Sequence, residues 1–348
     1  MKSQYFKDIT RRGIARAYYM TGYCNKVHIG NLIILTYHRI VPKSEKCSFY
    51  PQPGLIVEPQ VFEKHLSYLN SKYTIISFEE YFHFIETDNK DDQKQYCIIT
   101  FDDGWKDNYD YAYPLLKKYG ISATIFLVTD FIGSNEWLWP EKLTHILLCL
   151  NKRNSVDDFD AFVNIASKLN FKNELIRSLE KIYLNTSEFA MHEVVEAFKR
   201  YSPERIDNFI QTAIDSLSIS LPDHRLMINW DEVQEMSHEQ ISFGSHGCSH
   251  KILTTLDEDE IKHEIIDSQK RIMEKQINYV PTFCCPNGNY NQDIIKIIKN
   301  SGYKASVTTN CGFNLFNSNE MFELKRLNIH NHVTKTPQLF SLHLTSLL

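Results

Sequence analysis

Tyr96-Cys97-Ile98-Ile99-Thr100-Phe101-Asp102-Asp103-Gly104 is the stretch on which the reading of this chain turns. Its apolar run has the length and composition of a buried strand, and two adjacent carboxylates close it. An unpaired charge is strongly disfavoured in a low-dielectric interior, so the pair calls for a cation. Successive side chains on a strand point to opposite faces. A tight turn at Gly104 would bring both carboxylates to one cleft, where one could hold a metal and the other move a proton. An isolated Asp-Asp-Gly reads more simply as a cap on the helix that begins at Trp105. Segments further along the chain decide against that simpler reading.

Downstream, Ser245-His246-Gly247-Cys248-Ser249-His250 follows the short strand-like stretch Gln240-Ile241-Ser242-Phe243-Gly244. Two imidazoles and a carboxylate suit Zn²⁺ or a similar ion with positions left open. Gly244 and Gly247 argue against a helix through the motif. Thr255-Leu256-Asp257-Glu258 reads as a capping box that starts the next helix only later. The histidines therefore fall on a strand-to-helix connection, where α/β enzymes keep their chemistry. Cys248, between them, reads as a small filler. Further on, Thr282-Phe283-Cys284-Cys285-Pro286-Asn287-Gly288-Asn289-Tyr290 runs from a strand into a turn.

In order and spacing these three segments resemble the polysaccharide deacetylase family, the NodB-homology domain of carbohydrate esterase family 4. Its motifs are Thr-Phe-Asp-Asp-Gly, His-(Ser/Thr)-x-x-His and Arg-x-Pro-x-Gly. The first is matched throughout. The second keeps both histidines, with Gly247 in place of Ser or Thr. The third keeps Pro286 and Gly288, with Cys284 where many members have Arg. The resemblance implies Asp102 as general base and a metal held by Asp103, His246 and His250. It also implies a reaction in which the metal polarises an amide carbonyl and acidifies its bound water, and the oxyanion is stabilised. Zn²⁺ is the favoured ion, with Co²⁺, Mn²⁺ and Ni²⁺ compatible. The family's proton donor, a His in a Leu-x-His motif, has no match in register. His330 in Leu327-Asn328-Ile329-His330 and His38 at the end of the first strand are the candidates, ahead of His332 and His343. Arg326 is the candidate to stand in for the family's base-orienting groups or to contact substrate, with a surface ion pair of a C-terminal strand as the equal alternative. Pro286, Gly288, Tyr290 and Trp139 complete the expected substrate-binding set.

Strand-like runs over 32–37, 96–101, 123–128, 241–243, 282–285, 305–308 and 324–329 alternate with helical patterns over 59–70, 78–86, 105–119, 257–275 and 292–300. That alternation predicts an α/β fold, a distorted (β/α) barrel of about seven parallel strands. Asp102, Asp103, His246 and His38 fall at strand C-termini, where such barrels keep their sites. Residues 134–225 are helical and polar, an expected insertion between barrel parts 31–133 and 226–348. Trp139 and Trp230 flank it, as a sugar-stacking lid or as packing staples. Residues 1–30 form a basic segment, with Lys2, Lys7, Arg11, Arg12, Arg16 and Lys26 among apolar residues. It could contact an anionic membrane through residues 2–26, although a helix packed on the barrel is the plainer expectation.

The 348 residues carry a net charge of −5 and a pI near 6.3, which argues against a nucleic-acid partner. No run is long and apolar enough for a transmembrane segment. Eight cysteines without framework spacing suit a reducing compartment. The first residues lack a secretory pattern. Together these predict a cytoplasmic protein, peripheral at most at the inner membrane face. The expected activity is a metal-dependent removal of an N-acetyl group from an amino sugar in a glycan or glycan precursor. A non-sugar amidase or deformylase and an inactive sugar-binding relative are the alternatives.

Overall fold

The computed structural model describes residues 2–22, 28–45, 54–184, 187–316 and 320–345; for 2–9, 183–184 and 188–189 it describes the backbone alone. Cys24, Lys26 and Cys47 lie outside these residues. The chain forms two compact units, one of residues 1–41, 54–134 and 226–348 and one of residues 42–53 and 135–225.

Eleven strands are described, all in the first unit: β1 Asn31–Tyr37, β2 Arg39–Ile40, β3 Ile56–Val57, β4 Thr74–Ile75, β5 Tyr96–Phe101, β6 Ala123–Leu127, β7 Ile241–Ser245, β8 Tyr279–Cys284, β9 Ala305–Val307, β10 Asn314–Leu315 and β11 Leu327–Asn328. The main sheet runs β10-β1-β5-β6-β7-β8-β9, with β11 also on β1 and β4 also on β5. Only the β1–β10 pair is antiparallel among its pairings. The sheet then curls shut. Leu324 bridges to Val307 in parallel, and three residues later β11 pairs with Leu35 and Thr36 of β1. Seven parallel segments thus ring the core, as the alternating pattern predicts.

Near-continuous apolar strands, such as β1 and β5, are the mark of parallel sheets buried on both faces. Their two-residue period sorts them cleanly. Ile33, Leu35, Tyr37, Cys97, Ile99 and Phe101 pack outward into a core shared with the surrounding helices. Leu32, Ile34, Tyr96 and Ile98 point inward with Phe126, Val280, Cys284, Ala305, Val307 and Leu324. Thr100 continues the inward row, and Asp102 is next on it.

Most elements keep their expected limits. The helix at 257 is capped differently: Asp257 accepts from the Glu260 amide at 2.9 Å and Glu260 returns the bond, so the box lies two residues beyond Thr255. Two helices carry π turns, Asn108–Ala112 and His263–Asp267. The second unit holds α-helices Trp139–Arg153, Val156–Lys168, Asn173–Leu184, Glu188–Phe198 and Pro203–Ser216. They enclose their own core, with Leu147, Phe162, Leu179, Phe198 and Phe209 buried within it. The helix Lys2–Thr21 packs Ala15 against Leu339 and Leu342. No described helix is long and apolar enough to cross a membrane.

A cleft of about 910 Å³ opens at the N-terminal ends of the strands, lined among others by Thr74, Gly120, Gln240, Asn278 and Lys304. Every candidate catalytic or metal-binding residue lies at the other end.

Candidate active site

Asp102 sits one step past β5 and is 3 % exposed. Its inward direction takes it to Arg326, which donates to both carboxylate oxygens at 2.7 and 2.8 Å. The guanidinium is held in turn by the Thr308 carbonyl at 2.9 Å, Thr100 Oγ1 at 3.3 Å and Cys284 Sγ at 3.3 Å. Burial pushes the Asp102 carboxyl up, and the adjoining Arg326 charge and its hydrogen bonds more than offset this, holding it below the usual range. Asp102 therefore rests as a carboxylate. Arg326 was expected either to orient the base or to touch substrate. Its donors are directed at Asp102 and the barrel interior.

At Asp103 the backbone leaves the strand with φ +75°, and Gly104 follows at +81°. That turn swings the second carboxylate away from the outward face a regular strand would give it. Such left-handed backbone in a non-glycine residue is costly and concentrates at functional sites. Its Oδ2 accepts from the Trp105 indole at 2.8 Å. Its Oδ1 lies 3.3 Å from His246 Nε2 and 3.3 Å from His250 Nε2. The same Oδ1 is buried without a hydrogen-bond partner. His246 Nδ1 meets the Cys284 carbonyl oxygen at 2.7 Å, which makes Nδ1 the donor and turns the Nε2 lone pair toward Asp103.

These three ligand atoms lie together within 4.8 Å. Ligands about 2.0–2.2 Å from a shared tetrahedral ion are about 3.4 Å apart. The observed spacing, the orphaned oxygen and the two-imidazole, one-carboxylate donor set all fit a divalent metal. Burial raises the Asp103 carboxyl, and the His246 and His250 imidazoles 3.3 Å from its Oδ1 outweigh it, holding it well below the usual range.

His38 is the candidate histidine that meets Asp102: its Nε2 is 3.8 Å from Asp102 Oδ2, with 19 % of its side chain exposed. Burial lowers its pKa, a trend Asp102 and Asp103 oppose and Arg326 reinforces. His330 caps the short helix Asn331–Thr334, faces His332 at 5.9 Å between ring centroids, and is pushed down to about 4 by burial. His343 is tied to the Asn328 carbonyl at 2.9 Å.

Pro286 and Gly288 form a tight turn after β8. Pro286 is buried, and a side chain on Gly247 would touch it at 3.8 Å; it packs beside the histidine loop. Tyr290 is half-buried, its hydroxyl accepting from Asn310 Nδ2 at 3.0 Å. Trp139 lies 6.5 Å from Phe198 in the helical unit, and Trp137 is 3 % exposed there, the packing role rather than the stacking one. Trp230 sits under Lys275 at 4.8 Å. Sequence reading missed Trp105 as a partner of Asp103, although it lies only two residues away.

A family model described as polysaccharide deacetylase matches residues 89–149 and 166–306, more than half of the chain. The Bacillus subtilis protein YxkH, provisionally named a polysaccharide deacetylase, is 38% identical over 114 residues, covering 32% of this chain and 37% of that protein. The poly-beta-1,6-N-acetyl-D-glucosamine N-deacetylase of Staphylococcus epidermidis is 28% identical over 170 residues, covering 41% of this chain and 58% of that protein. The chain thus spans well under two thirds of the length of either curated relative. Among solved structures, the Streptococcus pyogenes deacetylase PplD in complex with acetate superposes with a TM-score of 0.55 at 21% identity, over 90% of this chain and 97% of that one. A de-N-acetylase from Aggregatibacter actinomycetemcomitans gives 0.54 at 16% identity, over 88% and 96%. At those identities the likeness is one of fold.

Proposed function

We propose that this chain, which belongs to the polysaccharide deacetylase family, hydrolyses the N-acetyl amide of an amino sugar in a glycan or glycan precursor. The observation that carries the reading is a buried carboxylate locked by Arg326 beside a second carboxylate aimed at two imidazoles. A divalent cation held by Asp103, His246 and His250, with Zn²⁺ favoured, would supply the Lewis acidity that polarises the amide carbonyl and acidifies water. Asp102, ionised at rest and fixed in direction by Arg326, takes the proton from the attacking water. His38, 3.8 Å away and partly open to solvent, relays a proton to the departing amine. A neutral resting imidazole suits that relay, since it receives the proton before giving it up. The Staphylococcus epidermidis relative supports an N-acetyl-hexosamine substrate. A peripheral contact with an anionic membrane belongs to the same proposal, supported by exposed Arg12, Arg16, Tyr19 and Met20 on the N-terminal helix.

The test incubates Zn²⁺-loaded protein with oligomeric, lipid-linked and nucleotide-linked N-acetyl-hexosamines and reads the mass loss of one acetyl group. Asp102→Asn should retain metal and lose activity by about 10²–10⁴-fold, the usual contribution of a general base. Full activity in that variant would remove Asp102 from the role. Turnover confined to small non-sugar amides would replace the substrate class, and metal binding with no turnover would point to a binding protein.

A further inference from the structure

Between the two histidines the backbone makes a turn that does not hold itself. Gly247 has φ +80° and His250 φ +61°. Outward, the turn's carbonyls are used: Thr129 N donates to the Gly247 carbonyl at 3.2 Å and Asp130 N to that of Cys248 at 2.9 Å. Of its amides, Gly247 N donates to Ser245 Oγ at 3.2 Å, and the next two meet a single side chain. Cys248 N and Ser249 N both donate to Glu264 Oε2, at 2.7 and 2.9 Å, and Ser249 Oγ donates to Oε1.

Glu264 is 3 % exposed, and no ion pair to it is found among the described residues. A carboxylate buried without a cation is costly, so its three charge-assisted hydrogen bonds are what sustain it. It reaches the loop from the π turn His263–Asp267, a distortion that often marks functional positions. The fit is close. A β-carbon on Gly247 would stand 2.7 Å from Glu264 Oε2. The side chain missing at 247 and the carboxylate present at 264 occupy the same space.

We infer that Glu264 is a positioning residue that holds the His246–His250 turn in the shape needed to ligate a divalent cation. The inference rests on the proposed metal role of Asp103, His246 and His250, and deepens it. Outer partners that orient metal ligands are typically worth about 10–100-fold in metal affinity.

The experiment measures Zn²⁺ affinity by chelator competition and the visible spectrum of the Co²⁺ form. It compares the wild type with Glu264→Ala, Glu264→Gln and His250→Ala. Glu264→Ala should weaken Zn²⁺ about 10–100-fold and alter the Co²⁺ bands, while Glu264→Gln, which still offers an oxygen to the two amides, recovers most of the loss. Gly247→Ala should damage the wild type more than it damages the Glu264→Ala background. Wild-type affinity and spectrum in Glu264→Ala, with affinity lost in His250→Ala, would overturn the role of Glu264 alone. Unchanged affinity in His250→Ala would instead overturn the metal site. Should Glu264→Ala not fold, amide exchange in metal-free wild type decides. Cys248 and Ser249 should exchange slowly, and exchange at the rate of an open loop would refute the anchor.

Discussion

At the scale of single residues, the decisive contact is Arg326 on Asp102. A guanidinium presents a rigid fork that a lysine ammonium cannot reproduce, and both Asp102 oxygens are held by it. Arg326→Lys should therefore fold yet lower kcat at least about tenfold, as expected when a base loses its orientation, while KM moves less than about threefold. Steady-state kinetics on a chromogenic acetyl ester would check this; an unchanged kcat would relegate Arg326 to structure. The four residues Asp102, Asp103, His246 and His250 were legible because each pair lies in one short local pattern. Arg326 could be named but not given a role, since its partner is 224 residues away. Glu264 gave no local signal at all. Its function comes from a helix that packs against a loop, a relation that spacing along the chain does not encode.

Among elements, the parallel strands were readable because burial on both faces leaves them nearly all apolar. Short edge pieces such as β2, β3, β4 and β10, two residues each, carry too little pattern to be seen. The close approach of β7 to its neighbours was also invisible in sequence. A β-carbon on Gly244 would fall 2.6 Å from the Phe126 ring and 2.8 Å from the Thr282 carbonyl. The backbone oxygen cannot swing aside. Gly244→Ala should cost about 1–3 kcal/mol, the usual range for overpacking, as read by urea unfolding. Because His246 is two residues on, activity should fall with it. Loss of neither would show that β7 can shift outward freely.

Across the whole molecule, histidines fasten the C-terminal segment to the barrel. His28 Nε2 lies 2.6 Å from the Leu344 carbonyl oxygen, and His65 Nε2 lies 2.8 Å from that of Thr334. The His65 ring also stacks on Phe340 at 3.9 Å. Burial pushes His65 down to about 4 and lowers His28 as well. An unfolded histidine titrates near 6.5, so below that pH the unfolded chain binds a proton that folded His65 refuses. Stability therefore falls as pH drops from about 6.5 to about 4, by about 3 kcal/mol from His65, and levels off below. His65→Gln should be less stable at neutral pH yet lose less on acidification, as followed by unfolding at stepped pH; parallel curves would contradict this.

The closing of the barrel by the segment around Arg326 has a consequence for synthesis. A ribosome delivers the chain in order, and His250, the last of the three expected cation ligands, emerges 76 positions before Arg326. Until Arg326 arrives, Asp102 has no guanidinium to fix it. An unfinished chain can thus own every group that would seize a metal while lacking the guanidinium that grips Asp102. The guanidinium that fixes Asp102 thus arrives with the very segment that shuts the ring.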